Sequence, residues 1–465
     1  MLVAISTVGL ARLQFATTSL YHFLFVPLTL GLGPILVAFQ TLWYRTGNEV
    51  WFRLTRFFGT LFLINFAIGV ATGLVQEFQF GMNWSTYSRF VGGVFGAPLA
   101  MEGILAFFLE STFIGLWIFG WDRLPKRVHL ACIWAVSAGT LLSAMFILVA
   151  NSWMQHPVGY KINSQGQAVL TNVWAILVNP TFIWGYAHVV LAGLITGCLV
   201  MLGVSAWYLR KREHVESFHR TAKVALTVLI PAIVIQLSVG NQLGVIENKY
   251  QPMKIAAAEA QWTNCKPCSF SVFQIGGGAN DKTPTEIIPI PHLLSVLATG
   301  TWNGPVTGLD TLNSQYQAKY GPGNYVPDVF IQYWSMRVMA YLASLILLLA
   351  IWGGWLLHRD KLRNSRLFLT ICLWAVATPF LMNTAGWLLT ESGRQPWIVQ
   401  GLQKTVNANS PSVSQTEIWI SLTVFVLSYI VLGWADLTLM LRYSRRGMAQ
   451  ADAEAAETAA PALTY

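Results

Sequence analysis

Charge is scarce in this chain. Asp, Glu, Lys and Arg make up 11% of its 465 residues, where a soluble protein carries about a quarter. That excludes a water-soluble domain. The net charge of +9 does not argue for nucleic acid either, because the basic residues sit in short turns between apolar runs. Cysteine is equally thin: five residues suggest no disulfide framework, and Cys132, Cys198 and Cys372 lie in apolar runs as small core residues. Positions 1–11 lack the basic segment of a cleavable signal and read as an amphipathic lead-in to the first apolar run. Neither an internal repeat nor an inverted repeat of the transporter kind is visible.

Apolar length is what the chain has in abundance. Hydrophobic residues make up 54% of it, with 20 tryptophans, and runs of about 20 apolar residues recur, each able to cross a bilayer of roughly 30 Å. Nine spans are expected, over 15–44, 57–76, 94–120, 128–151, 180–209, 222–242, 329–357, 367–390 and 418–441. The fold class is therefore an all-α polytopic membrane protein. Alternate connections are dense in Lys and Arg, such as Arg123, Lys126 and Arg127, or Arg359, Lys361, Arg363 and Arg366. The positive-inside bias makes these cytoplasmic, with the N-terminus outside and the C-terminus inside. Two outer connections are long: 152–179 is polar, and 244–328 holds the clusters PIPH and GPGNYVPD at a length that suggests function. The chain thus divides into spans one to six (1–243), an outer loop (244–328), spans seven to nine (329–446) and an Ala/Glu-rich tail (447–465) expected to be disordered and cytoplasmic.

Ionisable groups at membrane depth are costly and mark function by default. The stretch GWLLTESGRQPW (386–397) ends an apolar run on Glu391 and follows it with Gly393, Arg394 and Trp397. His22, His188, Met339 and the intramembrane Arg337 fall at the same outer depth. Taken singly, a buried histidine reads first as a core residue bonded to a neighbouring helix, and a methionine as core filler. At a shared depth the set changes meaning. Imidazole and thioether are the usual axial haem ligands, a His/Met pair favours a low-spin, electron-transferring iron, and a neighbouring arginine neutralises propionates.

Glu102 and Glu110 stand eight residues apart in span three, about two turns and on roughly one side. They read as a proton relay or as metal or haem ligands, the alternative being a protonated Glu in an interhelical hydrogen bond. In the outer loop Lys254 and Glu259 lie five apart on a short helical piece, off a common face, so pairing between them is not the obvious arrangement; a solvated amphipathic segment is the plain alternative. Cys265 and Cys268 form CKPC on the outer side, where a local disulfide bracing the loop is expected ahead of a redox dithiol or a zinc half-site.

At this point the chain resembles subunit I of the cytochrome bd-type quinol oxidases across essentially its whole length. The motifs RLQFATTSLYHFLFVPLTLG, MEGILAFFLESTF, ENKYQPMKIAAAE, YWSMRVM and GWLLTESGRQPW carry the resemblance, in the right order. It implies that the loop is a quinol-binding loop of the shorter type, and that His188 and Met339 are the axial pair of a low-spin haem b beside Arg337. It implies a high-spin haem b and a haem d at the oxygen-reducing site, with His22 an axial ligand, Glu391 and Glu102 ligand candidates, Trp387 between haems and Arg394 on propionates. Gly393 would let backbone approach the macrocycle. Glu110 resembles the acid of a proton path from the cytoplasm, and Lys254 and Glu259 match positions implicated in quinol oxidation.

The activity implied is oxidation of quinol (ubiquinol or menaquinol) outside and reduction of O2 to water with cytoplasmic protons, in a bacterial cell (inner) membrane. Such an arrangement generates a proton motive force without pumping, at about 2.3 kcal/mol per charge and 100 mV. The partners implied are subunit II in a heterodimer and small single-span accessory subunits. A haem–copper oxidase would need clustered histidines, whereas of eight only His22, His188 and His129 fall in spans; a bc-type cytochrome b would need paired histidines on two helices. Two alternatives stand beside the main reading: a cyanide-insensitive family variant lacking haem d, and a secondary transporter.

Overall fold

The computed structural model describes residues 6–447. The first span is a pair of helices, α1 (Thr7–His22) and α2 (Val26–Thr46), followed by α3 (Glu49–Met82). The third span joins α4 (Ser85–Met101) to α5 (Phe108–Phe119) through a π-helical segment, Glu102–Phe107. Then come α6 (Lys126–Gln155), the short α7 (Val173–Leu177), α8 (Pro180–Lys211) and α9 (Val215–Tyr250). The long connection 251–328 contains α10 (Pro252–Ala258), α11 (Leu293–Thr299) and α12 (Leu309–Tyr320). The chain returns through α13 (Val329–His358), the pair α14 (Arg366–Ala375) and α15 (Thr378–Gly393), and α16 (Gln415–Arg445). Among the described residues nine spans are long and apolar enough to cross a membrane, as the all-α reading expected. Strands are confined to four short antiparallel ladders in the connections.

Local chemistry sets the helix starts. Asn48 and Asn179 accept from the backbone two residues on, Asp328 accepts from Ile331, and Ser414 and Glu417 form a reciprocal capping box. Packing then sorts centre from rim. The most apolar window of α8 is 72% buried and that of α16 only 17%, so α8 is the axis of the bundle. It lies against α2 where Gly31, Gly193 and Gly197 meet: a Cβ on Gly197 would come within 3.0 Å of the Gly31 Cα. Small residues at such crossings let backbones approach where lipid offers no hydrophobic drive.

Several elements differ from the sequence expectation. The first span breaks at 23–25, directly after His22, because Pro27 has no N–H to offer the Phe23 carbonyl; Asn65 Nδ2 donates to the Phe25 carbonyl at 2.9 Å and ties the start of α2 to α3. The eighth span breaks at 376–377. Helices also outrun their apolar cores: α6 reaches Gln155, and α9 runs to Tyr250, so the loop begins at 251 and not at 244. A hydropathy run stops at the first polar cluster, whereas the helix continues as long as that cluster finds partners. The expected tail from 448 onward and positions 1–5 of the lead-in lie outside the described residues.

Candidate functional site

A continuous hydrogen-bond chain, buried at Lys254 and half-buried at Glu391, runs from the long loop to the end of α15. Lys254, at 3% exposure on α10, donates to Glu247 Oε2 at 2.7 Å and to Gln155 Oε1 at 2.8 Å. Gln155 Nε2 donates to Asn151 Oδ1 at 2.7 Å, Asn151 Nδ2 to Glu391 Oε1 at 2.8 Å, and Arg394 Nη2 to Glu391 Oε2 at 2.5 Å. Gly393 sits against this chain. A Cβ there would meet Lys254 Cγ and Gln332 Oε1 at 2.5 Å each, so the glycine admits protein side chains, a contact other than the macrocycle approach expected of it. Burial lowers the Lys254 ammonium below its ordinary range, with Glu247 working the other way.

Glu259 is not part of that chain. It caps α10 and pairs with Arg337 at 3.1 and 2.7 Å, both side chains almost fully buried. The remaining Arg337 donors reach Ser271 O at 3.1 and 2.7 Å and Ala258 O at 3.2 Å, so all five N–H groups are engaged. Phe270 and Tyr333 lie against its plane at 4.3 and 4.2 Å. Arg337 thereby locks the loop to α13, two residues before Met339. Burial pushes the Glu259 carboxyl above its usual range, and Arg337 opposes that. As the spacing suggested, Lys254 and Glu259 do not pair with each other.

His22, His188 and Met339 each have a glycine packed beside the side chain. His22 Nδ1 lies 2.9 Å from Thr72 Oγ1 on α3, whose own proton serves the carbonyls of Ile68 and Gly69 at 3.0 Å; Thr72 therefore accepts from Nδ1–H. Gly73 leaves room for the ring. His188 on α8 has the Gln236 amide 3.3 Å from Nδ1 and Gly240 beside its ring. Met339 Sδ faces Gly386, where a Cβ would come within 3.5 Å. His129 is the contrast: Gln40 engages its Nδ1 and the Trp117 carbonyl its Nε2, both at 2.8 Å, which makes it a satisfied core residue. α9 packs on both α8, which carries His188, and α13, which carries Met339.

Trp387, one turn before Glu391, packs edge-on against Phe23 at 4.8 Å, next to His22 at the helix break. A cavity of about 380 Å³ opens here, lined by Phe15, Trp84, Trp387, Glu391 and Arg394. Arg394 is buried, yet its Nε and Nη1 have no partner. Buried donors are rarely left so, and a half-satisfied guanidinium fits the carboxylate arms of a ring cofactor.

Glu102 and Glu110 both face α6. Glu102 Oε1 accepts from Ser143 Oγ at 2.8 Å, and Glu110 is buried over Gly139, one turn away on α6. The π segment that starts at Glu102 is a wider turn, which rotates Glu110 back towards the Glu102 side. Cys265 and Cys268 form a disulfide, and among the described residues no His/Cys/Asp/Glu cluster suits a metal ion. Sequence reasoning missed Asn151, Gln155, Glu247, Thr72 and Gln236. The polar pair Asn151 and Gln155, four apart at the end of an apolar span, was the one legible signal.

Among the described residues, nine apolar spans define a multi-pass membrane protein, with two buried imidazoles and an unsatisfied guanidinium beside a cavity. The family described as cytochrome bd terminal oxidase subunit I matches residues 10–448, and the chain belongs to that family. It is 45% identical over 444 residues to cytochrome bd ubiquinol oxidase subunit 1 of Bacillus subtilis (strain 168), covering 95% of this chain and 94% of the relative. It is 36% identical to cytochrome bd-II ubiquinol oxidase subunit 1 of Escherichia coli (strain K12), covering 95% and 96%. Among solved structures, a bd oxidase from Geobacillus thermodenitrificans aligns with a TM-score of 0.86 at 27% identity, covering 95% of this chain and 99% of that one. The chain is accordingly an oxidoreductase subunit, haem is the cofactor class its family implies, and the transporter reading is set aside.

Proposed function

We propose that this chain is the haem-bearing subunit of a terminal oxidase that takes electrons from quinol and reduces O2 to water. The observation that carries the reading is the buried Arg394, paired to Glu391 through one nitrogen and unpartnered at two others inside the cavity beside Trp387. His188 and Met339 would hold the iron of a low-spin haem b. His22, Glu391 and Glu102 would serve a high-spin haem b and haem d, and Arg394 would pair with propionates. When bound, these haems supply one-electron transfer at the low-spin centre and oxygen reduction at the high-spin pair.

The remaining roles belong to the chain itself. Thr72 accepts from Nδ1–H of His22, which leaves its Nε2 to coordinate; at His188 the Gln236 amide lies beside Nδ1, and turning its unpartnered Oε1 to that nitrogen would hold the proton there and leave Nε2 to coordinate. Arg337 holds the loop against the helix that carries Met339. Glu110 over Gly139 and Glu102 at Ser143, both against α6, pass protons upward from the cytoplasm, with the N-terminus outside and the C-terminus inside. The connection 251–328, with Lys254 and Glu259, is the quinol-binding loop at the outer face. Because protons are consumed from one side and released on the other, the enzyme builds a proton motive force without a pump. Subunit II and small single-span subunits complete the assembly in a bacterial cell membrane.

A reduced-minus-oxidised spectrum of the purified complex tests the reading: haem b and haem d bands are expected, and a colourless protein overturns it. Met339→Leu should remove the low-spin signal selectively; an unchanged spectrum refutes the His188/Met339 pair.

A further inference from the structure

Two buried acid–base pairs anchor the long loop, and they are not equivalent. Glu259 has both oxygens on Arg337. To accept a proton it would have to release a guanidinium that is 0% exposed, leaving that charge buried and alone. Glu247 is different. Only its Oε2 is engaged, by Lys254 at 2.7 Å; Oε1 makes no hydrogen bond within the described residues, and the Glu247 side chain keeps 11% exposure against 4% for Lys254. Lys254 in turn directs two of its three N–H bonds at Glu247 and Gln155, and the third is spare. The pair therefore offers one free acceptor and one free donor side by side, with the acceptor on the more open edge. A hydroxyl that must donate and accept at the same oxygen is the group this suits.

Resting on the quinol-oxidase reading above, we propose that Glu247 and Lys254 form the subsite for a quinol hydroxyl, with Glu247 the catalytic base. The quinol O–H donates to Glu247 Oε1 while its oxygen accepts from the spare Lys254 N–H. The O–H bond breaks, its proton forms a new bond to Glu247 Oε1, and the electron released passes into the oxidase and on to oxygen. The second hydroxyl gives up its proton and electron in the same balance, so that quinol leaves as quinone after two protons and two electrons. Charged and titratable groups lie around Glu247. Lys249 and Tyr250 follow it on α9, Lys254 faces it from α10, and His156 from the end of α6 stacks on Tyr250 at 3.7 Å. His156 is half-buried, where Lys254 is fully enclosed.

The test is steady-state oxidation of a short-chain quinol by the whole detergent-solubilised complex, across pH, for Glu247→Gln, Glu247→Asp and Glu259→Gln. General-base loss lowers turnover by about 10²-fold or more, so Glu247→Gln should fall at least that far. It should also lose the acidic limb of kcat/KM while keeping its dithionite-reduced haem spectrum, which shows that the complex has assembled. Glu247→Asp should recover part of the turnover and the limb. Glu259→Gln should retain the acidic limb and instead shift the midpoint potential of the low-spin haem. An acidic limb that persists in Glu247→Gln and vanishes in Glu259→Gln overturns the proposal. A wild-type complex that carries haem but never oxidises quinol overturns the reading beneath it, and the proposal with it.

Discussion

Gln155 Oε1 lies 2.8 Å from Lys254 Nζ while its Nε2 lies 2.7 Å from Asn151 Oδ1. One amide thus joins the loop cation to the chain that ends on Glu391 and Arg394, and its own backbone carbonyl accepts from Gln251 Nε2 at 2.6 Å. Replacing Gln155 with Leu leaves a buried ammonium one acceptor short and strands Asn151. A loss of about 2–3 kcal/mol is expected, read as a lower melting temperature of the complex together with a raised quinol KM. Glutamate at 155 keeps an acceptor for Lys254 and should restore part of the KM.

Arg337 and Glu259 invite a double-mutant cycle. Arg337→Ala alone isolates a buried carboxylate and should cost about 3–5 kcal/mol. Adding Glu259→Leu should return a substantial part of that loss, because no charge then remains unpaired. Thermal melts of the four proteins measure the coupling; simple additivity would mean that the bidentate geometry contributes little.

Gly393→Ala tests the close approach of α15 to the loop. With the obstructing atoms at 2.5 Å, overpacking of about 1–3 kcal/mol is expected. Lys254 should be displaced along with Gln332, so quinol turnover should drop while the haem spectrum stays. Retention of both stability and turnover would show that Lys254 moves aside freely.

Thr72→Val removes the acceptor that fixes the His22 tautomer. Loss of such a partner typically costs about 10–100-fold in metal affinity. Depletion or perturbation of the high-spin haem bands is expected, with the low-spin signal from His188 and Met339 intact; perturbation of the low-spin signal alone would contradict the placement of His22.

The pH dependence follows from Lys254. Its ammonium is lowered below 10.5 by burial, so it loses its proton, and its role as donor, at a lower pH than an exposed lysine. Quinol oxidation should therefore fall on the alkaline side before pH 10.5, and Lys254→Arg should move that limb upward. The stability sign is opposite. Between the folded and unfolded values the unfolded chain binds the proton that the folded chain has shed, so the Lys254 contribution to stability rises with pH across that window. Melting temperatures of wild type and Lys254→Met, compared from neutral to alkaline pH, check it: their difference should shift in favour of wild type as pH rises.

Much of the fold was legible in the sequence because the bilayer requires apolar spans of fixed length, and runs such as 329–357 announce themselves. The breaks were not. The interruption at 23–25 lies inside an apolar run and is tied to Asn65, 40 residues away, which donates to the Phe25 carbonyl, and the π turn at Glu102 leaves no mark on hydropathy. The candidate ligands stood out by residue type, whereas their supports did not: Thr72 and Gln236 are ordinary polar residues until a ring nitrogen is found beside them.

By itself the sequence determined the membrane class, the number of spans and the small set of costly side chains, because composition and period decide what can lie in hydrocarbon. Only the tertiary structure decided who pairs with whom. Glu259 and Lys254 sit five residues apart on one short element, yet one is bound to Arg337 from α13 and the other to Glu247 and Gln155 from α9 and α6. Such choices rest on contacts between residues remote in the chain, which no local pattern encodes, and in a buried site the partner fixes whether a carboxylate is held or free to act.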